Sequence, residues 1–190
     1  RGNLIVDIGG GTTDVAVLSY GGIVVAESLR LGGDRFDENI TRYIRKEFNL
    51  AIGEQTAEAI KINVANCAPS PRQEETMVIK GRDLVHGLPR QIEITDRIVA
   101  KAIEETVSMI IEGIRQVLER TPPELSADII DRGITLSGGG ALLKGLPELV
   151  TKKTQIPAYV ADMPLECVAI GTGKALDDLD KLRSSGSLIG

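Results

Sequence analysis

Two runs of three glycines, Gly9 to Gly11 and Gly138 to Gly140, each follow directly on a short apolar stretch. The first succeeds Leu4-Ile5-Val6 and Asp7; the second succeeds Ile134-Thr135-Leu136 and Ser137. Apolar runs of this length that stop at glycine read as buried strands entering tight turns. Two strand ends must therefore present backbone without a Cβ, which excludes an all-helical fold. Beyond the first turn, Val15 and Val17 share one face of residues 13–20 while Ala16 and Leu18 share the other. Apolar residues on both faces predict a central strand. Gly21-Gly22 predicts a hairpin turn and Ile23 to Leu31 a third strand, completing an antiparallel meander.

Helix signals follow. Asp34 is the expected N-cap of a helix over 35–48, with Phe36, Ile40, Tyr43, Ile44 and Phe48 on one side. The texture then changes over 51–94. A helix from Glu54 to Asn66, a Pro-Ser-Pro loop at 69–71, strands at 77–79 and 91–95, and turns at Gly81 and Gly87-Leu88-Pro89 are expected. This small mixed stretch reads as a subdomain (51–94) inserted into a main unit formed by 1–50 and 95–190. Thr95 caps a long helix reaching Arg120, whose Val99, Ile103, Val107, Ile110, Ile114 and Val117 form an apolar stripe. Thr121-Pro122-Pro123-Glu124 has the pattern of a capping box opening a short helix closed by Gly133. The strand at Ile134-Thr135-Leu136 then turns at the second glycine run into a helix that Gly145 and Pro147 should break or kink, with Lys152 and Lys153 at its C-terminal end. A strand over 157–161 and a helix over 167–182 complete the pattern. A meander followed by alternating helices and strands predicts an α/β fold: a mixed sheet with flanking helices, on the ribonuclease H-like plan.

Composition narrows the function. Net charge is −5 and no basic run occurs, so a nucleic-acid surface is not expected. Aromatics make up 3%, so the core must be aliphatic. Cys67 and Cys167 form no CxxC pair, which argues against a disulfide framework or zinc site and fits a reducing, cytoplasmic setting. No uninterrupted apolar stretch is long enough to span a bilayer, and no signal peptide is apparent. The lone His86 has no catalytic partner in its neighbourhood and reads as a surface residue. The chain opens Arg1-Gly2-Asn3 and enters a strand at once, as though cut from something longer.

Three places could carry chemistry. In Asp7 to Asp14, a glycine turn between strands can expose amides as an anion-binding nest, Thr12 and Thr13 add hydroxyl donors, and Asp7 could hold Mg²⁺ through water. The plainer alternative is a hairpin whose glycines supply positive φ. In Ser137 to Ala141, the turn into a helix N-terminus would let a flat ligand or a phosphate approach the backbone; close helix–sheet packing is the alternative. Glu58 and Lys61, three residues apart on one helix face, could contact a ligand or form a solvated ion pair.

The stretch LIVDIGGGTTDVAV (4–17) resembles the second phosphate loop of the superfamily of actin, sugar kinases and large heat-shock chaperones, and ITLSGGGALL (134–143) resembles its adenosine motif. GGDRFD (32–37), IGEQTAEAIK (52–61), GRDL (81–84), GLPR (87–90), TPPELSADIIDRG (121–133) and CVAIGTGKAL (167–176) are similar to the MreB family of bacterial actin-like proteins. The resemblance implies an actin-type ATPase lobe carrying a small α+β insert. It implies that Gly10, Gly11, Thr12 and Thr13 bind phosphate, and that Asp7 organises Mg²⁺ through water. Glu58 and Lys61 would flank the ribose and adenine, and Gly138, Gly139, Gly140 and Ala141 would pack against the adenosine. It also implies ATP as ligand, head-to-tail self-assembly into filaments that control cell shape, and links to the wall-synthesis machinery. Filaments would lie at the inner face of the cell membrane. Family members have two lobes, and only the second is represented here. The first phosphate loop, the group that positions the attacking water and the membrane-contacting elements would belong to the other lobe. This chain alone is therefore expected to hydrolyse ATP poorly or not at all, because phosphoryl transfer needs groups converging from both sides. Alternative readings are a lobe of a small-molecule kinase of the same superfamily, or an assembly module without nucleotide turnover.

Overall fold

A computed structural model describes residues 1–161. The helix expected at 167–182 lies outside them.

Strands β1 (Gly2–Ile8), β2 (Thr13–Ser19) and β3 (Gly22–Leu29) form the expected antiparallel meander. The β2–β3 turn is one residue earlier than Gly21-Gly22 suggested. Tyr20 and Gly21 occupy it, at φ 49° and 78°, as a tight two-residue hairpin turn of the primed type requires. Helix α1 (Gly33–Phe48) follows, with Phe36, Ile40 and Ile44 buried. Its N-cap is Gly32, not Asp34, and no side chain caps it. The turn after β1 does so instead: the Gly33 and Asp34 amides donate to the carbonyls of Gly9 and Gly10, both at 2.9 Å.

The short β4 (Leu50–Ala51), helix α2 (Glu54–Asn63), β5 (Thr76–Asp83) and β6 (Pro89–Thr95) come next. β4, β5 and β6 form a separate antiparallel sheet in that order. Gly81 is not a turn residue. It lies within β5, where a Cβ would overlap the carbonyl oxygen of Ala51. Helix α3 (Asp96–Glu119) starts at the Thr95 cap, whose hydroxyl accepts from the Ile98 amide at 3.2 Å. All six residues of its expected stripe are buried.

Helix α4 (Pro123–Arg132) packs on β1. The expected capping box does not form: the N-cap is Pro122, and the Thr121 hydroxyl donates back to the Val117 carbonyl at 2.7 Å. After β7 (Ile134–Ser137), one 3₁₀ turn (Gly139–Leu142) precedes α5 (Leu146–Thr154) and β8 (Ala158–Val160). Gly145, at φ 81°, separates the 3₁₀ turn from α5. The main sheet has the order β3-β2-β1-β7-β8, with β7 parallel to both β1 and β8. One continuous aliphatic core joins it to the small sheet: Leu4, Val6 and Ile8 belong to the same buried cluster as Leu50, Ile60, Ile79 and Ile94.

Candidate functional site

Strands β1 and β7 are parallel neighbours, with Asp7 opposite Ser137. Both glycine runs therefore leave the same edge of the sheet side by side. In the first, the Gly9 amide bonds the Thr12 carbonyl at 2.9 Å, closing a turn whose tip, Gly10 to Thr12, is exposed. Gly32 must be glycine because a Cβ there would overlap the Gly9 carbonyl oxygen. In the second run, Gly138 has φ 80°, and a Cβ on it would stand 2.8 Å from Asp7 Oδ1. A Cβ on Gly140 would overlap the Ile8 side chain, whereas one on Gly139 would meet nothing within 4 Å. Two of these three glycines are thus demanded by close packing on the end of β1, and the third is open.

Asp7 receives a hydrogen bond from the buried Ser137 hydroxyl at 3.0 Å on Oδ1. On its other side it stands opposite Asp14 in the β1–β2 register. Among the described residues no group of three or more His, Cys, Asp or Glu side chains is arranged to hold a metal. A single part-exposed carboxylate at a strand end nonetheless suits Mg²⁺, which keeps most of its waters and takes its other ligands from phosphate oxygens. Asp34 lies beside the turn as well, its carboxylate oxygens 3.3 and 3.4 Å from where a Gly10 Cβ would be. Acidic groups so near the turn would repel a phosphate there unless a cation intervened.

Helix α2 faces the two turns. Gly9, Gly10, Glu58, Lys61, Gly139 and Gly140 line one cleft of about 460 Å³. The structure thus gathers residues from three separate parts of the chain that the sequence had singled out. Lys61 is not in an ion pair with Glu58. Its ammonium sits 3.0 Å from Asp37 Oδ1 on α1, while Glu58 is exposed.

Two expected contact residues are otherwise engaged. Thr13 is fully buried, and its hydroxyl donates to the Leu31 carbonyl at 2.8 Å, so it cannot serve as a phosphate donor. Ala141 is buried and does not line the cleft; the exposed Leu142 does. The second glycine run also leads into a single 3₁₀ turn, not a long helix whose dipole could draw an anion.

Sequence reasoning passed over Ile62 and Leu142, which line the cleft and are 61% and 68% exposed. They give the cleft an exposed apolar surface. Ile62 carried a readable signal: it falls off the buried positions of α2, Ala57 and Ile60, so its apolar side chain was not needed by the core.

Residues 1–184 match the family described as MreB/Mbl protein. The chain is 55% identical over 181 residues to the cell shape-determining protein Mbl of Bacillus subtilis (strain 168), covering 95% of this chain and 54% of that protein. A crystal structure of MreB5 of Spiroplasma citri bound to ADP superposes with a TM-score of 0.85 at 40% identity, covering 97% of this chain and 56% of that one. The MamK double helical filament superposes with a TM-score of 0.73 at 26% identity, covering 86% and 50%. The chain spans about half the length of the relatives it matches. The MreB/Mbl match runs through both glycine turns and through the α2 wall of the cleft, and the chain belongs to the MreB/Mbl family.

Proposed function

We propose that this chain forms one nucleotide-binding lobe of an actin-like, cell shape-determining filament protein. The observation that carries the proposal is the convergence of the two glycine turns and α2 on one cleft, with Asp7 at the strand end between the turns. In this reading the amides of Gly10 and Gly11 and the exposed Thr12 hold the β- and γ-phosphates. Lys61 and Glu58 flank the ribose and adenine, and Ile62 and Leu142 close on the ring. Gly138 and Gly140 bring the second turn tight against β1, and Gly139 offers its open backbone to the adenosine. Asp7, oriented by Ser137, holds the water shell of Mg²⁺, which neutralises phosphate charge when bound. The MreB5 structure with ADP supports a nucleotide in this family, and a second structure of that protein carries AMPPNP.

Residues 51–94 act in this reading as a small inserted subdomain that forms one wall of the cleft on the main unit. Hydrolysis of ATP belongs to the whole two-lobed protein, because the attacking water must be positioned from the lobe opposite. Nucleotide closes the two lobes and favours the state that assembles, a binding-linked population shift. Assembly is head to tail in this reading, a heterologous contact that propagates into open filaments; the structurally similar MamK forms a double helical filament. No helix among the described residues is long and apolar enough to cross a membrane. In this reading the filaments lie at the inner membrane face, with membrane contact made by the other lobe, and they act with the wall-synthesis machinery.

Titration calorimetry with Mg·ATP, on this chain beside the full-length protein, tests the proposal. Binding by the full-length protein, with weak or no binding by the chain alone, is the expected result. Absence of binding to both would overturn it.

A further inference from the structure

Beyond the core packing of Ala57 and Ile60, two side-chain contacts among the described residues tie helix α2 to its surroundings. At its C-terminal end the Lys144 ammonium donates to the carbonyl of Asn63 at 3.0 Å. Two residues earlier, Lys61 Nζ lies 3.0 Å from Asp37 Oδ1, 3.1 Å from Asp37 Oδ2 and 3.4 Å from the Gly33 carbonyl oxygen. The two side chains of this pair are only 23% and 27% exposed, so salt screens them less than a surface pair. Gly33 is engaged from both sides, because its amide donates to the Gly9 carbonyl at 2.9 Å. A continuous path therefore runs from the first glycine turn through Gly33 to Lys61 and α2.

The weak step on that path is the 3.4 Å bond from Lys61 to Gly33. A lysine side chain loses considerable rotamer freedom when it is fixed, and a bond of that length does not fix it. Asp37 does: its Oδ2 accepts a hydrogen bond from the ammonium at 3.1 Å and its Oδ1 lies 3.0 Å away, which keeps the charge beside the Gly33 carbonyl. Asp37 does not itself line the cleft between the turns and α2. The geometry points to Asp37 as a positioning residue that couples the glycine turn at 9–11 to helix α2 through Lys61 and Gly33. Loosening one wall of the cleft then loosens the other. The coupling rests on the proposed function only in naming these walls as those of a nucleotide cleft; the path of contacts stands without nucleotide.

Residue-resolved hydrogen exchange on the full-length protein without nucleotide tests it, comparing wild type, Asp37→Asn and Asp37→Glu. Asp37→Asn keeps the shape and removes the charge. Exchange at the Gly33 and Asp34 amides, and along the second half of α2, should accelerate roughly three- to fivefold, the scale of a part-buried ion pair. Amides of α3 over 103–117 should not change, and Asp37→Glu should restore part of the protection. Raising salt on the wild-type protein should accelerate the same amides much less than Asp37→Asn does, because a part-buried pair is only weakly screened. Acceleration confined to α2, equal acceleration in α3, or no acceleration would each overturn the coupling. Adding Mg·ADP to wild type is a separate arm. If it fails to slow exchange at Gly10 to Thr12, the nucleotide reading fails while the nucleotide-free comparison still decides the coupling.

Discussion

The Ser137 hydroxyl donates to Asp7 Oδ1 at 3.0 Å across the parallel β1–β7 pair. The bond fixes the one carboxylate that stands where both glycine turns begin. Asp7→Asn should therefore act with opposite signs on two ligands. Affinity for Mg·ADP should fall on the order of tenfold, as for loss of an outer-sphere metal partner. Affinity for ADP without magnesium should hold or improve, since a negative charge near the phosphates is removed. Ser137→Ala should reduce the magnesium dependence in the same direction and cost about 1 kcal/mol of stability, because a buried hydrogen bond is lost. Calorimetric titrations with and without EDTA separate the two; a parallel loss for both ligands would reject Asp7 as the magnesium-organising group.

Neighbouring glycines in the second turn should tolerate substitution very differently. A Cβ on Gly140 would overlap the side chain of the fully buried Ile8. Gly140→Ala should destabilise by about 1–3 kcal/mol, the usual cost of forced overpacking. Gly139→Ala meets nothing within 4 Å and needs no positive φ, so it should stay within about 0.5 kcal/mol of wild type. Urea unfolding of the two variants measures the difference. Equal losses would mean that the close approach to Ile8 does not set the glycine requirement.

Cys67 offers a chemical reading of how tightly the loop after α2 is held. Burial is the main reason its thiol is pushed up to about 12, with the negative charge of Glu148 adding to it against an opposing backbone hydrogen bond. The thiol donates to the Lys144 carbonyl at 3.3 Å. Thiolate is the reactive form, so iodoacetamide at pH 8 should label Cys67 at least about tenfold more slowly in the folded protein than in urea. Peptide mapping keeps Cys67 apart from Cys167. The linkage has a definite sign. A thiol whose folded pKa is raised from 9.0 stabilises the fold fully below pH 9, and that contribution is lost as pH rises through about 12. Rapid labelling in native buffer would show that the loop opens freely.

Where a signal was local, the sequence was enough. The α3 stripe repeats at helical spacing over its whole length, and Thr95 caps that helix with its own hydroxyl. The glycine runs marked the two turns because an apolar run ending in glycine admits few other structures. Four of the misreadings share one physical cause, a partner distant in sequence. Asp34 looked like a cap, but carbonyls from Gly9 and Gly10 already satisfy the first amides of α1. Gly81 looked like a turn, but it answers the approach of the Ala51 carbonyl. Thr13 looked like a phosphate donor until the Leu31 carbonyl took its hydroxyl. Glu58 is the nearest acidic neighbour of Lys61 along α2, yet the partner is Asp37, 24 residues back on another helix.

The β5–β6 hairpin should unlock in acid through a single carboxylate. Asp83 Oδ1 accepts from the Val85 amide at 2.7 Å and the His86 amide at 3.3 Å, and Oδ2 lies 3.5 Å from the Arg90 guanidinium. These hold its carboxyl below the usual range, the Val85 amide foremost, against a smaller opposing effect of burial. The same Arg90 also donates to the Phe48 carbonyl, so the turn end of the hairpin is tied to the end of α1. For a carboxyl with a lowered folded pKa, the stabilisation is present above the unfolded value of 3.8 and is lost as pH falls through the lower folded one. The Val85 and His86 amides should therefore stay protected at pH 4.5 and lose protection only on further acidification. Asp83→Asn should remove that acid step and leave the hairpin looser at neutral pH, because the amide keeps one acceptor but no longer attracts Arg90. NMR titration of the two amides measures both effects. An acid step that persists unchanged in Asp83→Asn would assign it to another carboxylate.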